Sequence, residues 1–352
     1  MRKLLVLAAL VGFVAPAPAQ EKLKVGDKAP PVKATKWLQG KEVTEFAAGK
    51  TYVMEFWATW CGPCIVMMPH MGELQTQYKD KVTFIGFSAK DPNNSLEKVQ
   101  ALVEKRGPKL GYTFAYADDR ETYDAWMKAA QRNGIPCCFV VGNDGKIAYI
   151  GHPMYLDVVL PKVVAGKWAA ADNEGIEAIE KEVNAVFASL RPAAPGQQPD
   201  PEVFLTKLAE FEKKNPLLAG IPYFNGPRVS SLLKAKKTDE AKTAIEALIA
   251  KGTKTSDHTL LLMAASVARS PDAKGDKALL ALSMKAAEGA LKIAGDKEWQ
   301  VMLALAEAHF ANGDKAKAKE FGAKTVALTE KESAGLKQFV ENQVKKFEDK
   351  KD

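Results

Sequence analysis

Thr59-Trp60-Cys61-Gly62-Pro63-Cys64 constrains this chain more than any other stretch. Two cysteines stand three apart, between an apolar run, Tyr52-Val53-Met54-Glu55-Phe56-Trp57, and a Met-rich stretch that reads as helix. Thiols at that spacing on a strand-to-helix corner can close a small disulfide ring and reopen it. The first of them sits at the helix start, where unsatisfied N–H groups and the positive end of the helix dipole favour thiolate. Cysteines so placed have pKa values lowered from about 8.5 toward roughly 7 or below. Cys61 is therefore expected to attack and Cys64 to resolve. Half of a zinc site is an alternative, but it needs a second ligand pair. A structural disulfide, or two core cysteines, is another. A tryptophan before the pair, Gly62-Pro63 inside it and a strand in front favour redox chemistry, with no metal.

The 352 residues allow about two domains plus appendages. At 47% hydrophobic and 26% charged, the composition is that of a globular protein. The net charge of +7 is spread over Lys/Glu-rich stretches and reads as solvated surface, not as a nucleic-acid footprint. Arg2 and Lys3 belong to residues 1–19, which read as a secretory signal peptide. The apolar run Leu4 to Val14 is too short to span a bilayer comfortably, and Ala17-Pro18-Ala19 offers cleavage before Gln20. An uncleaved anchor is the alternative. No Cys follows the apolar run, which argues against a lipoprotein anchor. The expectation is a periplasmic or secreted protein, in a compartment where disulfides persist.

Taken in order, residues 20–50 read as a β-hairpin region with turns at Gly and Pro. Residues 51–58 read as a buried strand whose one charge is Glu55, six before Cys61. A carboxylate there is costly unless paired or protonated, and burial raises its pKa. Glu55 is thus a candidate proton acceptor for Cys64; an edge-strand Glu facing water is the alternative. Residues 62–78 read as a helix with Pro69 inside it, expected to kink it. His70 on that helix reads as a partly exposed side chain and not as a base. A strand over 82–88, a helix from Leu96 to Lys105, a strand over 111–116 and a helix near 121–131 follow. This alternation argues for a largely parallel sheet. Pro136 opens a strand, Asn143-Asp144-Gly145 turns it, Lys146 to Ile150 returns antiparallel, and Leu156 to Val164 closes with a helix.

These residues together resemble the thioredoxin superfamily, specifically the exported thiol-disulfide oxidoreductases of the TlpA/ResA type with the redoxin group close by. The match is carried by Gly26-Asp27-x-Ala29-Pro30, by Phe56-Trp57-Ala58-Thr59-Trp60-Cys61-Gly62-Pro63-Cys64, and by Pro69. Gly134-Ile135-Pro136 and Asp144-Gly145-Lys146 complete it, over roughly residues 23–166. The resemblance implies a thioredoxin-like α/β domain over residues 20–166. It implies a cis Pro136 beside the cysteine pair, and an Ile135 backbone that pairs with an incoming peptide as a strand does. Glu55 occupies the place of thioredoxin's buried Asp, where many TlpA-like relatives are uncharged. Cys137-Cys138 also departs from the family. Adjacent strand residues point to opposite faces. The two thiols are open to three readings: small core hydrophobes, an accessory thiol exchanging with the Cys61–Cys64 pair, or a metal or vicinal-disulfide pair.

Beyond Gly166 the composition turns Ala/Glu-rich and helical, and residues 191–201 read as a Pro-rich linker within a 167–201 connecting segment. Residues 202–352 read as all-α. Leu305, Ala306, Phe310, Gly313, Asp314, Ala318 and Leu328 resemble one tetratricopeptide unit, and Thr238 to Leu248 and Ala281 to Ala290 mark weaker ones. An irregular helical bundle is the alternative; such a domain can hold a protein partner, or act as a spacer or dimerisation surface. His258 and His309 read as packing residues.

The function expected is an exported thiol-disulfide oxidoreductase acting as a reductant. Trp60, Gly62, Pro63, Ile135 and Pro136 would shape its site. A protein disulfide or thiol is the substrate, an upstream thiol the electron donor, and no cofactor is needed beyond the disulfide itself. Two rivals remain: a redoxin-type thiol peroxidase, and a helical-repeat adaptor with a redox-sensing domain.

Overall fold

A computed structural model of the protein describes residues 22–192, 194, 196–330 and 332–347. The signal-peptide expectation over 1–19, and Ala193 and Pro195 of the linker, lie outside the described residues. The sheet is built around β2 (Thr51–Trp57), every residue of which is buried. It is flanked by β3 (Val82–Ala89) and β5 (Cys137–Val141), then β4 (Thr113–Ala117) and β6 (Ile147–Gly151), with β1 (Lys36–Gln39) at one edge. The order is β1-β4-β3-β2-β5-β6.

This corrects two expectations. The sheet is mixed: β2–β3 and β3–β4 are parallel, but β1–β4, β2–β5 and β5–β6 are antiparallel. Nor do the described residues of the 20–50 stretch, 22–50, form a hairpin. Their one strand, β1, pairs with β4 across the chain, because the edge of β4 offers a whole row of open backbone groups. Lys28 meets Lys146 in an isolated bridge.

Alternation along β2 sorts the two faces. Val53 and Trp57 enter one core with Cys61, Cys64 and Cys138. Tyr52, Met54 and Phe56 enter the other with Cys137 and Phe139. The first face is covered by α1 (Gly62–Gln77), α2 (Leu96–Leu110) and α4 (Leu156–Val164), through Met67, Met68, Met71, Val99, Val103, Leu156 and Leu160. The second is covered by α3 (Glu121–Tyr123), which runs on as a π turn over Asp124–Lys128. There Phe56 packs against Phe87, Trp126 and Phe139 with centroids 5.5–6.3 Å apart. Aromatic pairs of this kind add about 0.5–1.5 kcal/mol each beyond their burial.

The first core does not end with the sheet. α5 (Ala170–Ala188) adds Ile176, Val183 and Val186, and α6 (Pro201–Lys214) adds Phe204, Leu208 and Phe211. Leu218, Ile221 and Phe224 close it. Asp200 caps α6 by accepting from the Glu202 N–H at 2.9 Å, so the Pro-rich stretch leads straight into a packed helix. A separate, all-helical core follows in α7 (Asn225–Lys234), α8 (Thr238–Lys254), α9 (His258–Ala268), α10 (Lys277–Ala294) and α11 (Trp299–Ala311). Alanines at 264, 265, 286, 287 and 290 are fully buried there, which lets neighbouring helices approach closely. α12 (Lys315–Leu328) and α13 (Ala334–Val344) follow, and a 3₁₀ turn, Lys345–Phe347, ends the described residues. Gly313, at φ 85°, makes the turn between α11 and α12 in a conformation that disfavours any side chain. Among the described residues no helix is long and apolar enough to cross a membrane.

The helical half is tied to the α1/α2 layer by polar contacts. Arg106 donates to the Thr259 hydroxyl at 2.9 Å, and Lys105 Nζ lies 2.7 Å from the Glu298 carboxylate. Lys251 reaches Glu73 at 3.7 Å. A cleft of about 420 Å³ lies between the two layers, lined by Gly72, Thr76, Arg106, Lys109, Asp257 and His258, away from the cysteine pair.

Candidate active site

The site begins where β2 ends. Asn94, 1% exposed, gathers the chain there. Its Oδ1 accepts from both the backbone N–H and the hydroxyl of Thr59, each at 2.9 Å. Its Nδ2 donates to Ser88 Oγ and to the Ala89 carbonyl, each at 2.8 Å. One buried amide thus fixes the ends of β2 and β3 relative to the turn that carries the cysteines. Trp60, 56% exposed, is steadied by its indole N–H on Asp91 at 2.9 Å.

Cys61 is the N-cap of α1, with Gly62 and Pro63 in the first turn. Proline is at home there because its missing N–H would find no intrahelical partner. Cys61 and Cys64 form a disulfide with Cα atoms 5.3 Å apart. The Cys64 N–H donates to Cys61 Sγ at 3.2 Å, so the helix start supplies the first sulfur with a donor. Both cysteines are buried, while Trp60, Gly62 and Pro63 are exposed around them. The Ile135–Pro136 peptide is cis, as the resemblance implies, and leads directly into β5.

Glu55 lies mid-sheet, 0% exposed, which overturns the edge-strand alternative. Its pairing partners are Cys138 on β5 and Gly86 on β3, so it shares the face that carries Cys61 and Cys64. A Cβ at Gly86 would meet Phe114 at 2.9 Å and the Trp57 indole at 3.1 Å, so glycine there lets those two rings pack beside Glu55's strand. Neither carboxyl oxygen has a hydrogen-bond partner. Burial pushes its pKa up to about 8.

The remaining candidates separate. Cys137 and Cys138 are free and buried, one in each core. Burial pushes Cys137 up to about 12, with Arg132 pulling it down and Glu55 pushing it further up. Cys138 is pushed well above the ordinary range, again by burial first. His70 is partly exposed, as expected, and it is also paired. Its Nε2 is 2.7 Å from Asp157 on α4 and its Nδ1 is 3.4 Å from Glu73. Burial alone would lower its pKa, but the bonds to Asp157 and Glu73 outweigh it and hold it at about 9. His309 stacks on Phe321 at 5.5 Å, a packing role.

Two neighbours of the site carried no sequence signal. One is Asn94, in the short turn between β3 and α2. Tyr223, just before α7, donates its hydroxyl to the Pro63 carbonyl at 2.9 Å across 160 positions of sequence.

Comparison with known proteins accords with this geometry. The Redoxin family profile matches residues 24–154. Protein FixW of Rhizobium leguminosarum is 34% identical over 157 residues, 43% of this chain and 71% of that protein. A thiol-disulfide oxidoreductase ResA of Bacillus cereus is 41% identical over 150 residues, 41% of this chain and 80% of that protein. Among solved structures, a thiol:disulfide interchange protein of the thioredoxin family from Chlorobium tepidum TLS aligns with 40% of this chain and 98% of its own. Its identity is 24% and its TM-score 0.34. With a two-cysteine ring on a helix N-terminus, a cis proline ahead of β5 and this kinship, the chain belongs to the TlpA/ResA-like thiol-disulfide oxidoreductases of the thioredoxin superfamily.

Proposed function

We propose that the protein is an exported reductant of protein disulfides. Cys61 is its attacking thiolate, Cys64 its resolving thiol and Glu55 the acceptor of the Cys64 proton. The observation that carries this reading is the bond from the Cys64 N–H to Cys61 Sγ at the start of α1, because a sulfur met by a helix-start donor is the better thiolate. In the reduced state the Cys61 thiolate attacks a substrate disulfide, forms a mixed disulfide and expels the first substrate thiolate. Cys64 then loses its proton to the Glu55 carboxylate and attacks Cys61 Sγ. The second substrate thiolate leaves, and two electrons have passed from the protein to the substrate. Glu55 ends protonated, which is the state that burial favours beside a closed disulfide. Re-reduction by an upstream thiol donor returns that proton to Cys64.

Trp60, Gly62 and Pro63 offer an exposed rim for an incoming peptide, and the backbone at Ile135, ahead of cis Pro136, offers it a strand-like edge. Export is supported by the leader-like residues 1–19 and by a disulfide chemistry suited to oxidising compartments. The helical half is the surface available to a protein partner. Insulin reduction driven by dithiothreitol tests the core of the reading. Wild type accelerates turbidity, and Cys61→Ser and Cys64→Ser do not; an active Cys61→Ser would overturn the assignment. A redox titration tests direction, with a midpoint below roughly −200 mV expected of a reductant. Cell fractionation with N-terminal sequencing tests export, and a mature chain starting at Gln20 is the expected result.

A further inference from the structure

We propose that Tyr223, a residue of the helical half, is a positioning residue of the redox centre. Its hydroxyl polarises the Pro63–Cys64 peptide and so strengthens the N–H bond that Cys64 gives to the Cys61 sulfur. The inference rests on Cys61 being the attacking thiol.

The geometry is a relay through one peptide group. The Pro63 carbonyl and the Cys64 N–H are the two ends of a single resonant amide. Its oxygen accepts from the Tyr223 hydroxyl at 2.9 Å, and its nitrogen donates to Cys61 Sγ at 3.2 Å. A carbonyl has two lone pairs, so this bond is compatible with the helical bond the same oxygen makes. Donation onto an amide oxygen makes its N–H a stronger donor, and bonds in such chains reinforce one another by about 10–30% each. The reinforcement counts most when the sulfur is charged, because charge-assisted bonds are roughly twice as strong as neutral ones. The relay therefore favours thiolate over both thiol and disulfide.

The tyrosine is built in. It sits in a 3₁₀ turn, Pro222–Phe224, whose Phe224 is fully buried. Phe224 stacks on Phe187 at 5.0 Å and meets Phe211 edge-on at 5.7 Å. The Tyr223 ring stands edge-on to His152 at 5.4 Å. Burial, and then the Glu55 charge, raise the phenol's pKa, so it stays a neutral donor. Phe224 belongs to the same core as Cys61 and Cys64, so the helical half and the disulfide corner are registered by one packed layer. Tyr223 lies well beyond residue 154, where the Redoxin match ends.

The test is the pH dependence of iodoacetamide alkylation of the reduced full-length protein, with the modified cysteine read by mass. In wild type Cys61 is alkylated first. In Tyr223→Phe the midpoint of its profile rises by about half a unit, and the rate below the midpoint falls about threefold. Site-specific Tyr223→3-fluorotyrosine, whose more acidic hydroxyl donates more strongly, moves the midpoint down; it keeps the test intact if the Phe variant misfolds. Lys251→Ala, which loosens the same contact between the two halves at Glu73, leaves the midpoint in place. Coincident midpoints in wild type and both Tyr223 variants overturn the relay while leaving the Cys61 assignment standing. An equal rise in Lys251→Ala also overturns it, because the effect would then be one of docking. Prior alkylation of Cys64 in wild type overturns the assignment and the relay together.

Discussion

The chain carries two pairs of cysteines, and their fates differ because of the backbone beneath them. Cys61 and Cys64 stand three apart on a helix start, where the first turn brings both sulfurs to one side and a free N–H meets one of them. Cys137 and Cys138 stand side by side in a central strand. There the ladder consumes the backbone donors, and alternation sends one thiol into each core. Cys138 even shares the core of the reactive pair and lies beside Glu55 on the neighbouring strand. Proximity alone therefore does not give a thiol the helix-start donor that Cys61 has. Burial without a donor pushes both strand thiols away from thiolate.

The largest expected effect separates the pairs by activity. Cys61→Ser lowers insulin reduction on the order of 10³-fold or more, and Cys64→Ser traps a mixed disulfide visible on non-reducing gels and by mass. Cys137→Ala with Cys138→Ala stays within about twofold of wild type. Loss of turnover in the double alanine variant would erase the contrast.

Next comes Glu55. Glu55→Gln slows resolution of the mixed disulfide about 10²-fold at pH 7, read by stopped-flow with a labelled substrate. The same carboxyl sets a stability slope in the oxidised protein. Its folded pKa of about 8 lies above the ordinary 4.5, so the folded state holds the proton that the unfolded state has lost. Stability therefore falls as pH rises from about 4.5 to about 8, by a few kcal/mol in all. Urea titrations across that window are expected to show the fall in wild type and a flatter profile in Glu55→Gln.

His70 gives a smaller slope of the same sign. Its folded value of about 9 exceeds the ordinary 6.5, so its pairing with Asp157 stabilises fully below pH 6.5 and is lost as pH rises through 9. His70→Gln is expected to cost on the order of 2 kcal/mol at pH 6 and little at pH 9.5. The smallest effect sharpens the role of the strand thiols. Cys138→Ala, which empties a fully buried site, costs about 1–2 kcal/mol in urea denaturation, with activity retained.

Local features of this fold were legible because they follow from short-range geometry. The apolar run at β2, the cap and first turn of α1, the hairpin at Gly145 and the limits of α4 each depend on neighbours within a few residues. The divergence of Cys137 and Cys138 followed from strand alternation alone. Partner choice was not legible. Nothing in Lys36–Gln39 says that it pairs with β4, and nothing around Ile176 or Phe204 says that these helices share a core with the sheet. The site divides in the same way. Cys61, Cys64 and Glu55 stood out as candidates by spacing and charge, whereas Asn94 and Tyr223 bond to residues 35 and 160 positions away.

The most direct test is a redox titration of the folded protein with differential alkylation and mass mapping. Cys61 and Cys64 are expected to convert together as one two-electron couple, while Cys137 and Cys138 stay unlabelled at every potential until the protein is unfolded. Labelling of Cys137 or Cys138 in the folded protein, or a Cys61–Cys64 pair that does not change with potential, would contradict the account.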